Sequence, residues 1–154
     1  MRTFGERMPG RAYPDRPGAY GFVANTRGEI LTAEGPGPGR YLPGGGLEAG
    51  ETHEHGLVRE FAEETGLTIR PAGLLYEACQ LIPCLELPHG YLKICRFFAV
   101  ELTPAEQTIA PRFPIQWLPQ RQALEDLEEE VQRWALRMWL DQGRPLQGPL
   151  PPAP

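Results

Sequence analysis

The chain has 154 residues, 41% of them hydrophobic and 23% charged, an ordinary globular balance with enough length for one domain and a core of its own. Its net charge of −5 lacks the basic footprint that a nucleic-acid polymer demands, and no apolar run reaches the length of a membrane span. Three cysteines, Cys79, Cys84 and Cys95, are odd in number and include no Cys-x-x-Cys pair. That pattern predicts reduced thiols in a cytoplasmic protein rather than a disulfide framework or a zinc site.

The first stretch, residues 1–16, is punctuated by Gly and Pro and has no apolar segment of the kind a secretion signal carries; it reads as loosely ordered. A domain over 17–143 follows, and the proline-rich end, 144–154, reads as a flexible tail. AYGFVAN (19–25) and ILTAE (30–34) flank a glycine-containing turn and predict a β-hairpin. GPGPGR (35–40) is a flexible loop.

From Thr52 the pattern turns helical. Thr52 suits an N-cap, Glu54 suits the first turn, and Leu57, Val58, Phe61 and Ala62 define one apolar face. Gly66 stands where a left-handed C-terminal residue is wanted. LTIRPAGLLYEACQLI (67–82) and YLKICRFFAVEL (91–102) read as strands. The second is apolar on both faces, as in a sheet covered on both sides. The region after Pro119, RQALEDLEEEVQRWALRMWL, is helical in period, with its Glu128–Glu130 run facing solvent.

One feature of the first helix is electrostatically wrong. Glu60, Glu63 and Glu64 crowd its last turn, where they face the partial negative charge of the final carbonyls, at about 0.3–1 kcal/mol. Glu60 neighbours both others on the helix surface, and each like pair costs roughly 0.2–0.5 kcal/mol. A divalent cation among three convergent oxygen ligands reverses those penalties, and a hard ion such as Mg²⁺ suits them. The glycine-rich stretch before the helix would bring bare backbone alongside.

Residues 45–67 run Gly, five residues, Glu, seven residues, Arg-Glu, an apolar residue, any residue, Glu-Glu, any residue, Gly, apolar. Gly45, Glu51, Arg59, Glu60, Phe61, Glu63, Glu64, Gly66 and Leu67 fill every specified position. The stretch resembles the signature of the Nudix (MutT-like) hydrolases, and the flanking strands and Trp-Leu-Pro at 117–119 are similar to that family as well. The resemblance implies an α/β fold, a Nudix α/β/α sandwich, with a mixed β-sheet between the motif helix and a C-terminal helix. It implies an Mg²⁺-dependent pyrophosphohydrolase (Mn²⁺ the alternative) that directs water at phosphorus in a nucleoside di- or triphosphate derivative. Nucleoside diphosphosugars of the ADP-ribose type, dinucleoside polyphosphates, and a non-catalytic nucleotide sensor on the same fold are the alternatives.

Carried onto this chain, the resemblance makes Glu60 and Glu64 the principal metal ligands and Glu63 a third ligand or the base that activates water. The carbonyl of Gly44 completes the metal shell, and Glu51 braces Arg59, which orients the carboxylates. The family's partner is a small nucleotide-type diphosphate, with no membrane and no nucleic-acid polymer, for a monomer or homodimer. The chain departs from the family at Gly56 and Leu57, where small apolar residues such as alanine are usual.

Beyond the motif, Arg40 and Lys93 are the better phosphate-contact candidates, ahead of Arg16 and Arg96. Glu86, with Glu77 behind it, is the candidate for an additional downstream glutamate, although a surface role is the commoner fate. Tyr20, Phe22, Tyr76, Phe97 and the three tryptophans read as packing residues.

Overall fold

The computed structural model describes residues 1–35, 39–104 and 110–143. The centre of the GPGPGR loop and the proline-rich tail therefore lie outside the described residues. The strands are β1 (Arg2–Phe4), β2 (Asp15–Phe22), β3 (Ile30–Glu34), β4 (Arg40–Tyr41), β5 (Gly44–Gly46), β6 (Thr68–Ile82), β7 (Tyr91–Thr103) and β8 (Ile115–Leu118). The helices are α1 (His53–Thr65), α2 (Gln120–Asp126) and α3 (Glu130–Asp141).

A five-stranded mixed sheet in the order β1-β6-β7-β2-β5 forms the centre, and β4-β3-β8 forms a second, antiparallel sheet. In the central sheet β1 runs parallel to β6, β7 runs parallel to β2, and the other pairings are antiparallel. Strand β7 alternates as its sequence predicts. Cys95 and Phe97 enter one core with Phe22, Leu136 and Trp139, while Phe98 and Val100 enter another with Leu57 and Phe61 of α1. The sheet thus lies between α1 and the C-terminal helices.

Helix α1 has the termini its sequence specifies. The Thr52 hydroxyl accepts a 3.2 Å hydrogen bond from the His55 N–H, and Gly66 is left-handed at φ 72° with its N–H donated to the Ala62 carbonyl. No basic residue occupies the last turn. The Arg112 N–H instead satisfies the Glu63 carbonyl at 2.8 Å.

Three expectations need correction. The N-terminal stretch is not loosely ordered throughout, because β1 pairs with Ala78–Gln80 of β6 and the buried Phe4 ring sits 5.8 Å from Trp134. The segment 19–34 makes its turn, with the Asn25 N–H bonded to the Glu29 carbonyl and Gly28 at φ 77°, but not an ordinary hairpin. Its two arms diverge into different sheets, since β2 is committed to β5 and β7. The C-terminal helical region breaks in two at Leu127–Glu129. There the Leu127 side chain is buried, the Glu128 N–H goes to the Arg40 carbonyl, and the Arg133 guanidinium takes the Leu127 and Glu128 carbonyls at 2.6 and 3.0 Å. A continuous helix would forfeit those bonds.

Candidate active site

Strand β5 and helix α1 meet edge-on around one guanidinium. Arg59 donates to both oxygens of Glu51, Nε at 2.7 Å and Nη2 at 2.9 Å, a fork that a lysine cannot make. Its Nη1 reaches Glu60 at 2.9 Å and Glu63 at 3.4 Å, and Nη2 also reaches the Gly46 carbonyl at 3.1 Å. Glu51 also accepts the Glu48 N–H at 2.8 Å, which closes the loop between strand and helix. The Arg59 bonds draw the Glu51 carboxyl down to about 2.

Glu64 lies on the other side of the same junction, accepting the Gly44 N–H at 3.2 Å. Burial pushes its carboxyl up to about 8 despite that bond, with Glu60 and Glu63 adding to the rise. Burial also raises Glu60, against the pull of Arg59. Two desolvated carboxylates at a helix C-terminus with insufficient positive charge fit a cation, and their oxygen donors are of the kind Mg²⁺ takes.

The three carboxylates do not, however, converge into a preformed shell. Among the described residues no group of three acidic, His or Cys side chains is gathered closely enough to hold an ion. Arg59 holds Glu60 and Glu63, while the Gly44 N–H holds Glu64. The elements the site requires are adjacent; the closed triad expected from the helix surface is not formed.

The glycines explain the tightness of the junction. A Cβ on Gly45 would lie 2.7 Å from the Glu60 carboxyl carbon. One on Gly44, at φ 140°, would lie 2.1 Å from the Ala19 carbonyl oxygen. The departure at Gly56 has the same cause, since a Cβ there would meet Leu47 at 2.5 Å and Glu51 at 3.0 Å.

The remaining sequence candidates are mostly engaged elsewhere. Arg40 pairs with Glu34 at 3.3 Å and reaches the Thr32 hydroxyl at 3.4 Å. Lys93 pairs with Glu129 at 2.5 Å and lies 5.4 Å from the centre of the Tyr20 ring. Burial opposes its charge, but Tyr20 and Glu129 hold its pKa above the ordinary lysine value. Arg96 pairs with Glu77 and touches His53, and Arg16 stacks on Tyr91. Glu86 is exposed in the β6–β7 connection, well along β6 from the Glu77–Arg96 level that lines up with Gly45.

Sequence reasoning missed Glu129 and Arg112. Glu129 sits in a run that read as solvated, yet its side chain is only 11% exposed. Beside it lies an open cavity of about 420 Å³ walled by Tyr41, Ile82, Glu128, Glu129, Glu130 and Arg133. Arg112, tied to α1 through the Glu63 carbonyl, puts a positive charge within electrostatic reach of Glu64. Neither carries a local sequence signal, because both acquire their setting from distant partners.

A family model described as the NUDIX domain matches residues 14–142, nearly the whole described chain. The chain belongs to the Nudix family. It is accordingly a Nudix pyrophosphohydrolase, an enzyme, on an α/β fold. A protein named RNA pyrophosphohydrolase from Mannheimia succiniciproducens is 30% identical over 144 aligned positions, covering 79% of this chain and 72% of that one. A counterpart of the same name from Actinobacillus succinogenes is 29% identical with the same coverage. Among solved structures, a MutT protein from Methanosarcina mazei Go1 superposes with a TM-score of 0.64 at 20% identity, covering 86% of this chain and 98% of that one. A UDP-X diphosphatase superposes at 0.59, also at 20% identity, covering 90% of this Nudix chain and 69% of its own. At such identities these two speak for the fold. No helix among the described residues is long and apolar enough to cross a membrane.

Proposed function

We propose that the chain hydrolyses a pyrophosphate linkage in a small nucleoside di- or triphosphate derivative, by attack of water on phosphorus. The observation that carries this reading is the Arg59 junction, which ties Glu51, Glu60, Glu63 and the Gly46 carbonyl together beside the Gly44–Glu64 contact. Glu60, Glu64 and the Gly44 carbonyl would hold Mg²⁺, with Mn²⁺ as a substitute and Glu63 as a third ligand or the base that activates water. When bound, the ion neutralises phosphate charge and lowers the pKa of water. Arg59 orients Glu60 and Glu63, and Glu51 keeps Arg59 in place. As the base, Glu63, 44% exposed, would take the proton of the attacking water.

The cavity beside Glu129 takes the part of the substrate that is not phosphate. Its Glu128 and Glu130, with Arg133 as the cationic wall, repel a phosphodiester chain and attract the amino edges of a base. With the net charge of −5, this favours a mononucleotide over a polymer. The second reading is a 5′-phosphorylated RNA end, favoured by the similarity to the two bacterial proteins named RNA pyrophosphohydrolase. The free cysteines Cys79, Cys84 and Cys95 support a cytoplasmic location.

The test is product chromatography with Mg²⁺ over nucleoside di- and triphosphates, ADP-ribose, sugar nucleotides, dinucleoside polyphosphates and a 5′-triphosphorylated oligoribonucleotide. Glu64→Gln runs in parallel. Cleavage of a small nucleotide, abolished in Glu64→Gln, is expected. Cleavage confined to the oligoribonucleotide would replace the first reading with the second, and full activity in Glu64→Gln would refute the site.

A further inference from the structure

The segment that delivers Gly44 to Glu64 is bonded at four successive points. The Arg40 carbonyl accepts the Glu128 N–H at 2.9 Å, and the Leu42 N–H donates to Gln132 Oε1 at 2.6 Å. The Pro43 carbonyl accepts the Gly21 N–H at 3.0 Å, and the Gly44 N–H reaches Glu64 at 3.2 Å. Two of these anchors come from the α2–α3 break (Glu128) and the first turn of α3 (Gln132), and α3 lies across the sheet from α1.

Gln132 is the anchor on the α3 side that acts through its side chain, and it is completely buried. Its amide has one allowed orientation. Oε1 faces the Leu42 N–H, and Nε2 donates to Glu129 Oε2 at 3.2 Å; a flip would oppose donor to donor and acceptor to acceptor. The other oxygen of Glu129 is held by Lys93, which lies on the Tyr20 ring. Tyr20 is the ladder partner of Gly44. The chain of contacts therefore leaves the β4–β5 link at Leu42 and ends on β2 opposite Gly44. A desolvated Lys–Glu pair is weak evidence for stability by itself, so fixing one geometry is the better account of its burial.

We propose that Gln132, with Glu129 and Lys93, is a positioning relay that sets Gly44 against Glu64 and thereby tunes cation binding at the motif. Pro43 transmits the constraint, because its fixed φ leaves little play between Leu42 and Gly44. Gly44 itself has no slack toward β2, as its missing Cβ shows.

The proposal rests on the metal-dependent reading above, and its test needs no turnover. Mn²⁺ affinity is measured by electron paramagnetic resonance in the intact chain, together with the amide chemical shift of Gly44 and, separately, kcat and KM. Gln132→Met deletes the acceptor at similar volume and is expected to weaken Mn²⁺ about tenfold, the scale of supporting residues around a metal. It should also shift the Gly44 resonance and lower kcat more than it raises KM. The exchange Glu129→Gln with Gln132→Glu keeps every bond in the relay and should restore affinity to within about threefold, whereas Gln132→Glu alone opposes two carboxylates and should not. A folded Gln132→Met variant with wild-type Mn²⁺ affinity overturns the relay. Should that variant not fold, failure of the exchange to improve on Gln132→Glu overturns it equally. A wild-type chain that binds no Mn²⁺ overturns the functional reading itself and the relay with it.

Discussion

Gly45→Ala isolates the geometric demand of the site from its chemistry. The added methyl would stand 2.7, 2.8 and 2.9 Å from the carboxyl carbon and two oxygens of Glu60. Ordinary contact begins near 3.4 Å, so the carboxylate must retreat by roughly half an ångström, about the tolerance of a productive site. Glu60 is held by Arg59 at 2.9 Å, and that retreat breaks or strains the bond. We expect kcat/KM to fall about 10–100-fold and Mn²⁺ binding to weaken in parallel. Stability should change by no more than about 1 kcal/mol, because the obstructing group is the end of a flexible side chain. Gly46→Ala is the built-in control, since its methyl would have 3.9 Å to its nearest neighbour. Steady-state kinetics on the substrate found by the panel, with thermal melts of both variants, decide the matter. Wild-type kcat/KM in Gly45→Ala, or equal loss in Gly46→Ala, would refute the reasoning.

Arg59→Lys should cost at least about 100-fold in kcat, because one ammonium cannot fork Glu51 while reaching Glu60 and the Gly46 carbonyl; kinetics within tenfold of wild type would contradict this. The metal-free protein should lose stability as pH rises from about 4.5 to about 8, since folded Glu64 retains a proton there that the unfolded chain has released. Millimolar Mg²⁺ should raise the melting temperature more at pH 8 than at pH 5.5, and Glu64→Gln should flatten the metal-free profile; a flat wild-type profile would count against the desolvated carboxylate. Gly56→Ala gains about 0.8–1.0 kcal/mol of helix propensity, yet its methyl collides with Leu47 and Glu51, so melting should show no stabilisation. A rise of about 2–4 °C, the full propensity gain, would mean that the loop yields freely.

The motif helix was legible because its information is local. Thr52, Glu54 and Gly66 act within a turn of where they stand, and the Leu57–Phe61 face is periodic. The long β6 and β7 pair declared itself through composition. What stayed hidden is non-local. Strand β1 has three residues and no signal apart from its partner in β6. The break between α2 and α3 leaves helical periodicity undisturbed on both sides, and only the Arg40 carbonyl and the Arg133 guanidinium reveal it. The same holds in the site. Arg59 and its glutamates were readable from spacing, whereas Lys93 and Arg40 looked available for phosphate until Glu129 and Glu34 were found against them. A charge run such as Glu128–Glu130 conveys nothing about which member the fold will bury.

The sheet divides the interior unequally. On one side Phe22, Phe97 and Trp139 stack in an aromatic block, with Phe22 and Trp139 rings 5.1 Å apart; on the other, α1 rests on a smaller set around Phe61, Phe98 and Val100. Global stability and the metal chemistry of the motif are thus housed in separate compartments. Changes that harden the aromatic block raise the cost of global unfolding while leaving α1 as free to breathe as before. The two properties can drift, or be engineered, almost independently, with the Gln132 relay as one thread that still joins them.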